Sequence, residues 1–175
     1  MTMHMSVVAV AAPFLAIGVA GGPWDPVRRT PALYAPLMAS LLELAVVWIW
    51  HTPALHQAAR NHTMAFVAEQ TTFLLSGFIL WISVFGGDSA TRANRRGSGV
   101  VALLLTAMHM TLLGALLALS PRPLYAHFHG SETLSALDDQ HLGGAIMLIV
   151  GGVSYLAGGL WLSARLLRRN PGRII

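Results

Sequence analysis

Five apolar stretches, at residues 6–22, 32–50, 62–85, 98–119 and 142–167, divide this chain, and short polar connections separate them. A helix that crosses a bilayer needs about 20 apolar residues, so the pattern predicts five membrane spans, the first of them barely long enough and interrupted by Pro13. That first stretch also has the length of a secretory signal's apolar region. No positive region precedes it, however, and Arg28 and Arg29 follow it instead, an order that favours a retained helix with its N-terminus outside. The second stretch has Pro36 in its first turn and ends on Trp48 and Trp50, whose rings suit an interface. Thr52 and Pro53 read as an N-cap and a first-turn proline, which predicts a short helix from Pro53 to Arg60 that Asn61 ends. Ser120-Pro121-Arg122-Pro123 stops the fourth span. The expected fold is therefore all-α: a polytopic membrane helix bundle of about five transmembrane helices, residues 1–175 forming one integral membrane domain.

Composition strengthens that reading. Of 175 residues, 55% are hydrophobic and only 10% charged, against the quarter usual in soluble domains. All eleven basic residues are arginine. With five spans and a periplasmic N-terminus, Arg28, Arg29, Arg92, Arg95, Arg96, Arg165, Arg168, Arg169 and Arg173 fall on the cytoplasmic side with the C-terminus, and only Arg60 and Arg122 fall outside. The basic balance is thus a topology signal and does not point to nucleic acid. The same topology gathers His4, His51, His56, His62, His127, His129 and His141 at the outer face, with His109 buried behind them.

Several polar residues sit where a membrane protein places them only with a reason. His51 and His62 stand at two helix ends with His56 on the turn between, and Glu69 follows His62 by about two turns, roughly 10 Å. Neutral imidazole is the commonest metal ligand, so a proton or metal site fits; the competing reading is that these histidines are solvated helix ends. Met3-His4-Met5 pairs imidazole with thioether, a donor set suited to Cu(I), and start methionines and chance explain the run equally well; in Met108-His109-Met110 at most one methionine shares a side with His109, the other being packing. An intramembrane histidine such as His109 is a functional candidate by default. Glu43, inside the second span, faces other helices or a wet cavity, either as an interhelical hydrogen-bond partner or as a ligand or relay group. The loop from Ser120 to Gln140 carries His127, His129, Glu132, Asp138 and Asp139, and reads either as a metal-collecting arm or as an ordinary solvated loop. With no cysteine, thiolate copper chemistry is excluded. No phosphate-binding glycine motif, Ser/His/Asp arrangement or HExxH pattern suggests an enzyme. The glycine doublets 143–144, 151–152 and 158–159 recur near a seven-residue period, forming a stripe that another helix can approach closely.

The runs VAAPFLAIG, WIWHTPAL, FLLSGFILW, MTLLGALLALSPRPLYAH and DDQHLGGAIMLIVGG resemble the CtaG-like cytochrome c oxidase assembly factors over most of the chain. The resemblance implies a bacterial inner-membrane protein, not an enzyme, that takes part in maturing a haem-copper oxidase, through copper delivery to its buried copper centre. Carried over by position, His4, His51, Asp139 and His141 fall in or beside the family's outer-face motifs, and His109 takes the polar position of its MTLLG helix. Family members usually have about seven spans, so this chain looks like a shortened form, and Phe66 and Gln70 stand where histidines are expected early in the third helix.

The function expected from residues and resemblance together is transient copper binding at a periplasm-facing site drawn from His4, His51, His56, His62, His109, Met110, Asp139 and His141. The partners are the lipid bilayer, a haem-copper oxidase subunit and a periplasmic copper donor. His51, His109 and His141 are expected to converge, with His51 and His141 near the surface and His109 deeper, as a relay. The alternatives are a structural assembly partner without metal, or a haem-binding membrane protein.

Overall fold

The structure is a computed structural model and describes residues 2–125 and 135–168. Among the described residues there is no strand, and nearly everything belongs to helices. The N-terminal helix has three parts: α1 (Thr2–Ser6), a π-helical segment (Val7–Ala11) and α2 (Ala12–Val19). A short α3 (Pro26–Arg29) and a 3₁₀ turn (Pro31–Tyr34) lead into α4 (Pro36–Trp50). Then come α5 (Pro53–Asn61), α6 (Thr63–Phe85), α7 (Ser89–Ala118) and α8 (Ala136–Arg168).

Three of these, α6, α7 and α8, are long and apolar enough to cross a membrane, and α4 with α5 makes a fourth if the pair is one span bent by 72°. Five spans were expected from the apolar stretches. The difference has a local cause at each short helix. Pro31 and Pro36 remove the first turn of the second stretch, leaving α4 with 15 residues, about 22 Å at the helical rise. Thr52-Pro53 then turns the chain into α5, as the N-cap pattern predicts, although Thr52 bonds back to Ile49 O at 2.8 Å and does not cap α5. The N-terminal helix begins earlier than expected, and its apolar part runs Met3–Val19.

The elements alternate in direction, so one end of the bundle carries His56, His62, Tyr125 and His141, with His51 set in from it, and the other carries Arg28, Arg29, Arg92, Arg95, Arg96, Arg165 and Arg168. At the arginine end Asp25 is the fastener. Buried, it accepts from Gly21 N at 2.7 Å, Gly87 N at 2.7 Å and Val27 N at 2.9 Å, so one carboxylate joins the turn after α2 to the turn between α6 and α7. Gly21 and Gly87 both have positive φ there, 76° and 89°, which an L side chain rarely adopts. Arg95 ties α7 to the 3₁₀ turn by donating to Tyr34 O at 2.9 Å and to Pro31 O.

α7 and α8 form the tightest pair, and the expected glycine stripe explains part of it. A Cβ on Gly144 would stand 2.5 Å from Ala118 N and 2.7 Å from Gly114 O, so the two backbones touch there. Gly152 likewise abuts Thr111, and Gly159 abuts Leu104, of α7. Gly158 turns instead towards Trp81 of α6, and Gly151 towards Met5 and Met110. The stripe therefore serves three neighbouring elements, and its partner glycine on α7, Gly114, comes from the MTLLG run.

The π segment is held from the side. Pro13, just past it, has no N–H to return to the preceding turn. Ser154 Oγ donates to Ala9 O at 2.8 Å, and the Tyr155 hydroxyl, whose proton goes to Glu43, lies 3.3 Å from Val8 O, so α8 brings hydroxyls to backbone carbonyls in the region where the helix departs from α geometry.

Candidate buried imidazole site

His51 is the C-cap of α4, but it is buried within the bundle. α4 is short, and its last turn packs beside Phe73, ten residues or about 15 Å into α6. His4 of α1 meets it there: the two rings stand edge to face with centroids 5.4 Å apart, and Phe73 closes the third side, 5.2 Å from His4 and 6.2 Å from His51. Both histidines are buried, at 2% and 8% exposure. The expectation that His51 is a surface residue is corrected by the vertical register of the helices, which a linear sequence does not display.

The state of the His51 ring is fixed by its own helix. Nδ1 lies 2.7 Å from Val47 O, an acceptor only, so Nδ1 carries the proton and Nε2 presents a lone pair. That Nε2 has no hydrogen-bond partner, and neither nitrogen of His4 has one. Three buried imidazole nitrogens at one place without partners is unusual, since buried polar groups are nearly always satisfied. Two thioether side chains are buried in the same part of the bundle. Met5, next to His4 in sequence, and Met110 of α7 are both fully buried and both face Gly151.

His109 is buried at 3% exposure with both ring nitrogens unpartnered. One turn earlier, Thr106 pairs with Ser40 of α4 at 2.8 Å, so His109 continues the α4-facing side of α7. Since its neighbour Met110 meets Met5 across Gly151, His109 lies at about the level of the His4–His51 pair. Met108 is 60% exposed, which leaves Met110 as the methionine of that run turned inward.

The other expected ligands are engaged elsewhere. His141 Nε2 bonds Ser120 O at 2.9 Å, tying the start of α8 to the end of α7, and does not join His51. His56 lies against Tyr125, with centroids 4.0 Å apart, and the Tyr125 O–H donates to His51 O at 3.0 Å. α5 and Tyr125 thus roof the buried pair, and burial pushes the Tyr125 phenol up to about 12. His62 is exposed at the start of α6, and Asp139 is exposed in the first turn of α8. Asp138 accepts from Ser135 Oγ at 2.6 Å, a capping pair at the α8 N-terminus. His127, His129 and Glu132 lie outside the described residues. Among the described residues no three His, Asp or Glu side chains gather closely enough to hold a metal ion.

Two buried carboxyls frame the site. Glu43, two turns before His51, accepts a short hydrogen bond from Tyr155 O–H of α8, which is the interhelical role anticipated for it; its other oxygen has no partner. Glu69 accepts from Gln70 Nε2 at 3.0 Å. Sequence reasoning did not find Met5's inward position separately from Met3, nor Phe73 or Tyr155; for Tyr155 the available signal was a lone phenol in an apolar helix, which needs a buried partner.

The fold and site together define a polytopic helical membrane protein with a buried imidazole pair. The chain belongs to the cytochrome c oxidase caa3 assembly factor family, Caa3_CtaG, which matches residues 1–169 and so nearly the whole chain. No curated protein and no solved structure matches it. The resemblance carried by its five sequence runs is to this same family, whose role is assembly of an oxidase.

Proposed function

We propose that this assembly factor carries Cu(I) as cargo, holding it between His4 and His51 with thioether support from Met5 or Met110, and releases it to the copper centre of a haem-copper oxidase. The observation that supports the reading is the set of unpartnered, buried imidazole nitrogens, with the His51 tautomer fixed by Val47 so that its Nε2 keeps a free lone pair. Imidazole and thioether suit Cu(I) without the firm grip of a thiolate set, so a recipient centre can compete for the ion. His109 extends the path on the α4 side of α7. In this reading the histidine end faces the periplasm, where a copper donor would load it beneath the α5 roof. The protein does no covalent chemistry.

The specific rival is a metal-free structural partner, favoured by the absence of a three-residue cluster of His, Asp and Glu among the described residues. Cu(I) competition against a chromophoric chelator, under reducing conditions with purified protein, separates the two. Loss of outer-sphere partners alone weakens metal sites by about 10–100-fold, so His4→Ala and His51→Ala should each weaken Cu(I) at least about tenfold. His62→Ala and His141→Ala should not. Wild-type protein that takes no Cu(I) from the chelator, or His4 and His51 variants that bind as wild type, would replace the carrier with the scaffold. A Soret band in the purified protein would instead revive the haem reading.

A further inference from the structure

At the arginine end, away from the imidazole pair, α2 and α8 part company. α8 packs on α1 and the π segment but makes at most marginal contact with α2. The gap becomes a cavity of about 780 Å³, floored by Val84 and Phe85 of α6, walled by Ile17 and Leu162, and rimmed by Arg92, Arg96 and Arg165. A second cavity of about 450 Å³ shares Arg96, Trp161 and Arg165 with it and adds Arg168. The composition is ordered: apolar within the gap and four guanidinium groups at its mouth. Two of those groups are positioned by neighbours. Arg165 lies over the Trp161 ring, 4.3 Å from its centroid, and Arg92 reaches the Gly21 turn, its Nη1 3.3 Å from where a Cβ would be. Trp161 remains about half exposed, as an interfacial ring does.

We propose that this cleft is a binding site for an anionic phospholipid of the surrounding bilayer, with an acyl chain in the α2–α8 gap and the phosphate held by Arg96 and Arg165 with Arg92 and Arg168 flanking. The gap occurs within a helical bundle, next to spanning helices, where acyl chains are the available apolar matter. Charge complementarity selects the headgroup, because guanidinium forks match phosphate oxygens and basic cavities between membrane helices suit anionic headgroups. The lipid would also fill the volume between two helices that otherwise meet at most marginally, joining α2 to α8 at this end. The inference is independent of copper.

The test is native mass spectrometry and thermal unfolding of delipidated full-length protein with phosphatidylglycerol, cardiolipin, phosphatidylcholine or soluble inorganic phosphate. The anionic lipids should bind at least tenfold tighter than phosphatidylcholine and raise Tm, and inorganic phosphate should do neither. One basic residue near an anionic lipid surface contributes about fivefold, equivalent to about 1 kcal/mol, so Arg96→Gln with Arg165→Gln should weaken anionic lipid about 25-fold. Arg122→Gln, at the other end, should change nothing. If the double glutamine variant does not fold, Arg96→Lys with Arg165→Lys keeps the charge, and it should retain the preference for anionic over zwitterionic lipid. Equal binding of phosphatidylcholine, a preference that survives the glutamine variant or is lost in the folded lysine variant, or an equal effect of inorganic phosphate would each overturn the proposal.

Discussion

Replacing Gly144 with alanine adds one methyl group where two helix backbones already touch. The new Cβ would lie 2.5 Å from Ala118 N, 2.7 Å from Gly114 O and 3.0 Å from Ala118 Cα. Relaxed contacts between non-bonded heavy atoms lie near 3.5–4.0 Å, so α7 and α8 must separate locally by about 1 Å, and such a gap forfeits a quarter to a half of each contact it opens. Backbone atoms cannot rotate away as a side chain can. Overpacking of this kind costs about 1–3 kcal/mol, against which alanine regains up to about 1 kcal/mol of helix propensity over glycine. The net expectation is a loss of up to about 2 kcal/mol. Gly97→Ala makes the same chemical change at an exposed position of α7 with nothing within 4 Å of the added Cβ, so it receives the propensity gain alone. Equilibrium unfolding of both variants in the same mixed-detergent titration gives the comparison, in which the shared propensity gain cancels and Gly144→Ala should be less stable than Gly97→Ala by the overpacking cost, about 1–3 kcal/mol. If Gly144→Ala proves as stable as Gly97→Ala, close backbone packing at Gly114 and Gly144 is not what holds α7 to α8.

Asp25→Ala should be among the most destabilising single changes at the arginine end, because it leaves the N–H groups of Gly21, Val27 and Gly87 without their acceptor at about 1–3 kcal/mol for each that water cannot reach; a variant unfolding within 1 kcal/mol of wild type would refute the role given to Asp25. Tyr125 gives a pH signature: its phenol is raised from about 10 to about 12, so the packing it contributes is fully present below pH 10 and is lost as pH rises from 10 through 12. Spectroscopic titration of wild type against Tyr125→Phe isolates this group, and ionisation near 10 would show that the roof over His51 is open.

The membrane bundle was legible because apolar length and arginine placement are properties of a linear string. The bend after α4 was legible too, since Thr52-Pro53 is a local signal. The depth of the candidate site was not. His51 ends an apolar stretch, so it reads as a surface residue, yet α4 stops beside the middle of α6 and α5 folds over it by a 72° bend. Helix lengths can be counted along a sequence; the vertical register of one helix against another depends on contacts between residues far apart. The same limit explains why His141 was grouped with His51: both lie at helix ends, and only the packing shows His141 held by Ser120 O. The glycine doublets pointed to close approach and left open which neighbour each glycine meets.

Register at this site is set largely by one hydroxyl. Tyr155 O–H of α8 lies against Val8 O of the π segment and Glu43 of α4, so three elements meet at a fully buried phenol. Val8 is one helical turn from His4, and Glu43 is two turns from His51, which places the junction just below the imidazole pair. Tyr155→Phe keeps the ring and its stacking on Trp81 but removes the donor, leaving Glu43 without its hydrogen bond and Val8 O without its side-chain partner. A buried group left unsatisfied costs about 1–3 kcal/mol, so the variant should lose at least that much stability. Glu43→Gln, by contrast, keeps a carbonyl oxygen to accept from Tyr155, so it should cost less. A double-mutant cycle of Tyr155→Phe with Glu43→Leu, which removes the acceptor altogether, read by unfolding, should show a coupling of about 0.5–3 kcal/mol, as residues sharing one buried bond do. Zero coupling would mean that α1 and α4 find their positions without Tyr155, and the proximity of His4 to His51 would need another cause.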